Sequence, residues 1–234
     1  MMMLMTVAVL IFAAVLYLNN HLDSKQKNSQ ANLPKDELVL IAGAKQSYLS
    51  SNGPILSEDD IYVGRKGADL KIFVYEDYTD VFSAELDKSL VQAKEDFGND
   101  VLFVYRPFNI KHDGAAVKAA LALGCAYEQN KGDVWRERYF KALVNNNLPI
   151  DNFDNWVDGL KLNKDNFQAC LINQSKKERI EEIMLQAASY SVYGAPTIFV
   201  GDEMIVGARP YQTFTDSNGD KIEGLKQVIE RQLK

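Results

Sequence analysis

The sequence predicts an α/β domain in which a parallel strand–helix–strand unit is separated from a later strand hairpin and closing helix by a long helical insertion. Three observations predict it. Residues 70–75 and 101–105 are short apolar runs rich in β-formers, bounded by turn residues, and read as buried strands. Between them Phe82, Leu86, Leu90, Ala93 and Phe97 recur at helical spacing, which makes a crossover helix and a parallel strand pair. From about 112 to 190 the hydrophobic period stays helical, and strand character returns only at Thr197.

In chain order, residues 1–18 (MMMLMTVAVLIFAAVLYL) carry no charge. As a helix they would span ~27 Å against a hydrocarbon thickness of ~30 Å, so 1–20 reads as a transmembrane anchor. Ala13 and Ala14 run straight into Val15, Leu16, Tyr17 and Leu18, a poor cleavage pattern, and an uncleaved anchor is favoured over a removed leader. Residues 21–36 are polar and read as a tether, followed by an N-terminal extension over 37–59. No Lys or Arg precedes the apolar run, while Lys25 and Lys27 follow it. Taken alone, that bias puts the bulk of the chain on the cytoplasmic side.

The main domain occupies 60–234. Asp80 stands at the start of the crossover helix and Gly98 just past its end, as caps do. Ala116, Ala119, Ala120 and Leu123, then Trp135, Tyr139, Phe140 and Leu143, then segments near 151–160 and 164–172, then Ile180, Ile183, Met184 and Ala187, mark the helices of the insertion. Trp135, Tyr139 and Phe140 sit at core spacing and read as packing residues. Residues 197–200 and 204–206, joined by Gly201-Asp202-Glu203, read as a hairpin, and Leu225, Val228 and Ile229 as the apolar face of a closing helix.

Composition narrows the function. At 47% hydrophobic and 25% charged residues, the 234-residue chain is that of a globular protein. Lys plus Arg 26 against Asp plus Glu 32 leaves a net charge of −6, the wrong sign for a nucleic-acid partner. Cys125, Cys170, His21 and His112 are too scattered for any zinc spacing, and no metal or cofactor is expected. Residues 216–220 (DSNGD) imitate part of a calcium loop without its carboxylate spacing and read as a polar surface loop. His112 reads as a structural residue at a helix start.

Several short motifs occur in a telling order: Gly64-Arg-Lys-Gly-Ala-Asp69 leading into Lys71-Ile-Phe-Val-Tyr-Glu-Asp-Tyr78; Val104-Tyr-Arg-Pro-Phe108 and His112; Ala119-Ala-Leu-Ala-Leu-Gly-Cys125-Ala; Phe167-Gln-Ala-Cys170-Leu; Tyr193-Gly-Ala-Pro-Thr-Ile-Phe-Val200; and Val206-Gly-Ala-Arg-Pro-Tyr211. Over about 60–234 the chain resembles the DsbA-like branch of the thioredoxin-fold family, the thiol:disulfide oxidoreductases with a helical insertion. The resemblance implies a Cys-Pro-x-Cys dithiol at the crossover-helix start. Here that register reads Asp80-Val81-Phe82-Ser83, so ordinary thiol–disulfide exchange is excluded at this site.

Asp80 reads as an N-cap, or alternatively as a direct ligand for a cationic or N–H-rich segment. Ser83 lies one turn on and reads as a polar surface residue with no base to activate it. The resemblance implies a cis bond before Pro196 and, beside it, a groove that pairs with an extended peptide. The groove is expected between Thr79–Ser83 and Tyr193–Thr197, with Thr79, Asp80, Phe82, Ser83, Ala195, Pro196 and Thr197 as its lining. It also implies a structural Cys125–Cys170 disulfide, with two free thiols or a redox-active pair as alternatives, and an oxidising compartment if the bond persists. The cysteines outweigh the thin lysine bias and place the domain on the extracytoplasmic side.

The expectation is therefore a membrane-anchored protein that binds a peptide or protein client without dithiol chemistry. Enzymatic alternatives are an oxidoreductase acting through Cys125 and Cys170, or a glutathione-dependent transferase or isomerase. A purely structural envelope subunit is a third.

Overall fold

The computed structural model describes residues 53–109, 114–149 and 152–234. The expected anchor, the tether, most of the 37–59 extension, and His112 lie outside the described residues. Among the described residues no helix is long and apolar enough to cross a membrane.

Five strands form the main sheet: β1 (Ile61–Val63), β2 (Leu70–Glu76), β3 (Val101–Pro107), β4 (Thr197–Val200) and β5 (Glu203–Val206), in the order β1-β3-β2-β4-β5. β2 and β3 run parallel, from Leu70 opposite Val101 to Glu76 opposite Pro107, with α1 (Val81–Phe97) as their crossover. All other pairs are antiparallel. The strand–helix–strand unit is thus where periodicity places it. β1 is an addition to the sequence reading, because three residues are too few to show a period. It ends at Gly64, whose φ of +107° and closeness to β3 exclude a side chain: a Cβ there would lie 2.5 Å from the Val101 carbonyl oxygen.

The central strands β2, β3 and β4 are covered on both faces, which is why they read as nearly continuous apolar runs. Ile72 and Val74 share a core with Leu86 and Leu90 of α1 and with Leu225, Val228 and Ile229 of α7 (Leu225–Gln232). Phe73 and Tyr75, alternate in β2, join Phe199, Ala187 and Val192 in a second core. Gly98 ends α1 with φ 50°, its N–H donating to the Lys94 carbonyl.

The insertion comprises α2 (Gly114–Glu128), α3 (Gly132–Val144), α4 (Asp154–Gly159), α5 (Lys164–Leu171) and α6 (Gln174–Gln186), closed by a 3₁₀ turn at Ala187–Tyr190. It has its own aromatic core. The Trp135 ring lies 5.3, 5.4 and 5.0 Å from those of Phe153, Trp156 and Phe167, and Tyr139 and Phe140 pack beside it, so these aromatics serve packing. Cys125 of α2 is disulfide-bonded to Cys170 of α5, with Cα atoms 5.8 Å apart. Closing 45 residues of chain stabilises the fold by ~4 kcal/mol on the chain-entropy account.

The loop over 216–220 is the tip of a small hairpin, β6 (Phe214–Thr215) against β7 (Lys221–Ile222). Asp216 Oδ1 accepts from the N–H groups of Asn218 and Asp220, so its carboxylate holds the turn.

Burial acts on several phenols at once. It pushes Tyr75 up to about 12 and raises Tyr78, Tyr105 and Tyr139 in the same direction. A phenol whose folded pKa lies above the unfolded value near ~10 contributes stability that is complete below that pH and is lost as pH rises through the folded value. Alkaline titration followed at 295 nm and by far-UV dichroism is expected to show these tyrosines ionising together with unfolding, above pH ~10. Smooth ionisation near pH 10 with an unchanged dichroism spectrum would contradict their burial.

Candidate functional site

β2 delivers the chain at Glu76, and the four residues that follow turn it into α1. Asp77 organises this turn. Its Oδ1 accepts from the Thr79 N–H at 2.8 Å and the Thr79 hydroxyl at 2.6 Å, and its Oδ2 accepts from Asn109 Nδ2 at 2.6 Å. Asp80 has extended backbone (φ −109°, ψ 131°) and caps α1, its Oδ2 accepting from the Ser83 N–H at 2.9 Å. Ser83 differs from its reading as a surface residue: it is fully buried. Its Oγ accepts from the Asp77 N–H at 3.1 Å and donates to Asp80 Oδ2 at 3.3 Å, and this pull from both ends of the turn draws it inward.

Asp77 and Asn109 were not singled out from the sequence. The Asp-x-Thr spacing of a side-chain-to-backbone turn could have flagged the first; nothing local flags the second. Asp80→Ala is expected to cost about 0.5–2 kcal/mol of stability through the lost cap, read from urea unfolding, with Asp80→Asn near neutral. An unchanged urea midpoint in Asp80→Ala would contradict the capping role.

The loop before β4 comes to the same place. Thr197 pairs with Tyr75, so the preceding residue, Pro196, stands level with the end of β2, where the chain leaves for α1. The Ala195–Pro196 peptide bond is cis. The Pro196 carbonyl accepts from the Gly207 N–H at 2.8 Å, and the Thr197 hydroxyl donates to the Gly194 carbonyl at 2.8 Å. Of the seven expected lining residues, Thr79, Asp80 and Ala195 are half-buried and Phe82 is exposed. Ser83, Pro196 and Thr197 are buried, and the side chains of Ser83 and Thr197 are engaged internally.

What meets solvent here is apolar. Val81, Phe82, Tyr193 and Val206 are 53%, 63%, 65% and 68% exposed, and all four stand at the end of the sheet where β2 stops, β4 begins and β5 stops. Phe82 was expected to line the site, and Val81 and Tyr193 lie within the two segments expected to flank it; Val206 was not expected there. Four large apolar side chains are thus exposed at one end of the sheet.

Beneath the turn lies a buried ionic cluster. Arg136 of α3 donates through Nε to Glu76 Oε1 at 3.2 Å, and its two Nη atoms pair with Glu76 Oε2 and Asp87 Oδ1. Its guanidinium stacks on the Tyr105 ring, 4.3 Å from the centroid. Burial, then the Glu76 charge, raises the Tyr78 phenol. A second buried clamp stands at the C-terminal end of β3, level with Tyr75. There Arg106 takes Asp60 through Nε at 2.9 Å and Nη2 at 2.8 Å, the Tyr75 hydroxyl through Nη1 at 2.9 Å, and the Ile55 carbonyl through Nη2 at 2.6 Å.

The turn holds two carboxylates and two hydroxyls but no thiol. Among the described residues no group of three or more His, Cys, Asp or Glu side chains could hold a metal ion. The head of α1 therefore cannot exchange disulfides.

Residues 56–217 match the family model described as thioredoxin. Among solved structures the chain is similar to BdbD of Bacillus subtilis, at 16% identity and a TM-score of 0.60, covering 78% of this chain and 97% of that one. It is also similar to the thiol-disulfide exchange protein α-DsbA2 of Wolbachia pipientis, at 20% identity and a TM-score of 0.58, with 86% and 98% covered. ScsC of Proteus mirabilis matches at 14% identity and a TM-score of 0.59, with 92% and 94% covered. Among curated proteins none matches. At these identities the solved structures show a shared fold, while the model match spans well over half of the chain. The chain belongs to the thioredoxin family, with the DsbA-like fold.

Proposed function

We propose that this protein is a membrane-anchored, extracytoplasmic binding member of its family, which holds an extended segment of a protein client at the head of α1 without dithiol chemistry. The observation that carries the reading is the exposed set Val81, Phe82, Tyr193 and Val206, gathered where the family's dithiol would stand while Asp80 and Ser83 replace the thiols. An extended peptide beside the loop over 193–197 gains main-chain hydrogen bonds, and these side chains supply apolar pockets for alternate client residues. Asp80, at the helix start, adds a carboxylate that favours N–H-rich or basic client positions.

The uncharged run 1–18 supports the anchor, and the Cys125–Cys170 bond supports an oxidising compartment. The test is the affinity of the full chain, in detergent or nanodiscs, for a labelled unfolded polypeptide. Phe82→Glu is expected to weaken binding about tenfold or more, on the scale of an apolar anchor residue at an interface. Equal affinity of wild type and Phe82→Glu would remove the surface from the reading.

A further inference from the structure

Away from the head of α1, a cleft of about 640 Å³ opens between the β1 edge and helices α2, α5 and α6. Leu121 of α2 and Ile180 and Ile183 of α6 give it apolar wall, and four tyrosines, Tyr62, Tyr78, Tyr105 and Tyr127, give it aromatic wall. Gly124 of α2 leaves its part of the wall open: a Cβ there would meet nothing closer than Ile61 Cδ1, at 3.8 Å. Every charge in the wall has an opposite charge beside it. Asp60 is held by Arg106, Arg179 pairs with Asp59 at 3.2 Å, and Lys176 pairs with Glu128. Tyr105 is the polar group left over. It is 1% exposed, and its hydroxyl has no hydrogen-bond partner among the described residues, whereas its neighbour Tyr127 donates to Asp133 Oδ1 at 3.3 Å.

We propose that this cleft binds a small, uncharged, ring-bearing molecule that carries a hydrogen-bond acceptor such as a carbonyl, with the Tyr105 hydroxyl as the donor that orients it. The volume falls in the range of small-molecule sites, roughly 300–1,000 Å³. The paired charges decide against a charged ligand, which would have to break a pair and strip water from the group it freed. The tyrosines offer ring faces and edges to a ring-bearing body. A buried hydroxyl is as a rule bonded, so one unpaired in the wall of a cleft is matched by an acceptor that the ligand brings. None of Val81, Phe82, Tyr193 and Val206 belongs to the wall, so the site is separate from the client surface and needs no sulfur chemistry.

The probe is benzophenone, two rings joined by a carbonyl, which bonds covalently to adjoining C–H groups on near-ultraviolet irradiation. It is applied to the full chain in nanodiscs, with every variant in the same lipid so that partition into the bilayer is common to all. Peptide mapping is expected to find saturable label within the segments 61–62, 120–128 and 175–183. Tyr105→Phe is expected to weaken this labelling about fivefold, the effect of one hydrogen bond. Diphenylmethane, the same two rings without the carbonyl, is expected to compete for the site equally well in wild type and Tyr105→Phe. Gly124→Leu, which puts a side chain into the open part of the wall, is expected to reduce labelling about tenfold or more. If Gly124→Leu fails to fold, the two probes on Tyr105→Phe decide alone. Label on Val81, Phe82, Tyr193 or Val206 in place of the cleft, equal benzophenone affinity in wild type and Tyr105→Phe, or an equal loss of both probes in that variant would overturn the proposal.

Discussion

Arg136→Met is expected to destabilise the domain by about 3–5 kcal/mol, equivalent to about 6–20 °C in Tm, measured as the shift of urea and thermal midpoints. Arg136 is the only cation among its hydrogen-bonded partners; it is 1% exposed, and its partners Glu76 and Asp87 are 0% and 6% exposed. Removing it leaves two carboxylates in an apolar surround, and burial of an unpaired carboxylate favours its protonated form. The loss relative to wild type is therefore expected to be larger at pH 7.5 than at pH 5. Adding Glu76→Gln and Asp87→Asn to Arg136→Met is expected to recover most of it, because two buried charges then disappear with their partner. A loss below about 1 kcal/mol would mean that the cluster is solvated and does not hold β2, α1 and α3 together.

Asp80→Cys with Ser83→Cys is expected to create a disulfide exchanger where the wild type has none. The two positions are one turn apart on α1, and the Asp80 side chain already receives the Ser83 N–H. A thiolate at position 80 would meet the same N–H groups and the positive end of the helix, while a thiol at the buried position 83 would be the shielded partner. The exchange of Ser83 for Cys gives up its bonds to Asp77 and Asp80, at about 1–3 kcal/mol, so the variant is expected to fold with reduced stability. Insulin reduction by dithiothreitol should proceed at least about tenfold faster with the double variant than with wild type, which should match the uncatalysed rate. A double variant that forms no bond between the two new cysteines, or shows no turnover, would mean that this turn has lost the geometry of the site as well as its thiols.

The sequence carried the elements whose period is long or whose neighbours are local. α1 shows about four turns of apolar spacing with a cap at each end, and the parallel strands either side of it are nearly continuous apolar runs, so the central unit was legible. The helices of the insertion were legible for the same reason. Ser83 was not: its burial depends on hydrogen bonds from Asp77 and to Asp80 that a periodic reading does not contain. Arg136 carries no local signal, because Glu76 and Asp87 lie 60 and 49 residues away and only the fold brings the three together. The apolar surface beside Asp80 was half visible. Phe82 was expected there and Tyr193 lay in the loop expected to flank it, but Val206 comes from the end of β5, and sequence shows neither its exposure nor its place at the same end of the sheet.

The central claim is that binding at the head of α1 needs no sulfur. The most direct measurement is the fluorescence anisotropy of a labelled, cysteine-free unfolded polypeptide titrated with the full chain. It is run with and without dithiothreitol, for wild type and for Phe82→Glu. The account predicts saturable binding by wild type that a reductant leaves unchanged while the Cys125–Cys170 bond stays closed in parallel alkylation controls, and that Phe82→Glu weakens about tenfold. Binding that requires a cysteine in the client, or that Phe82→Glu leaves intact, would contradict it.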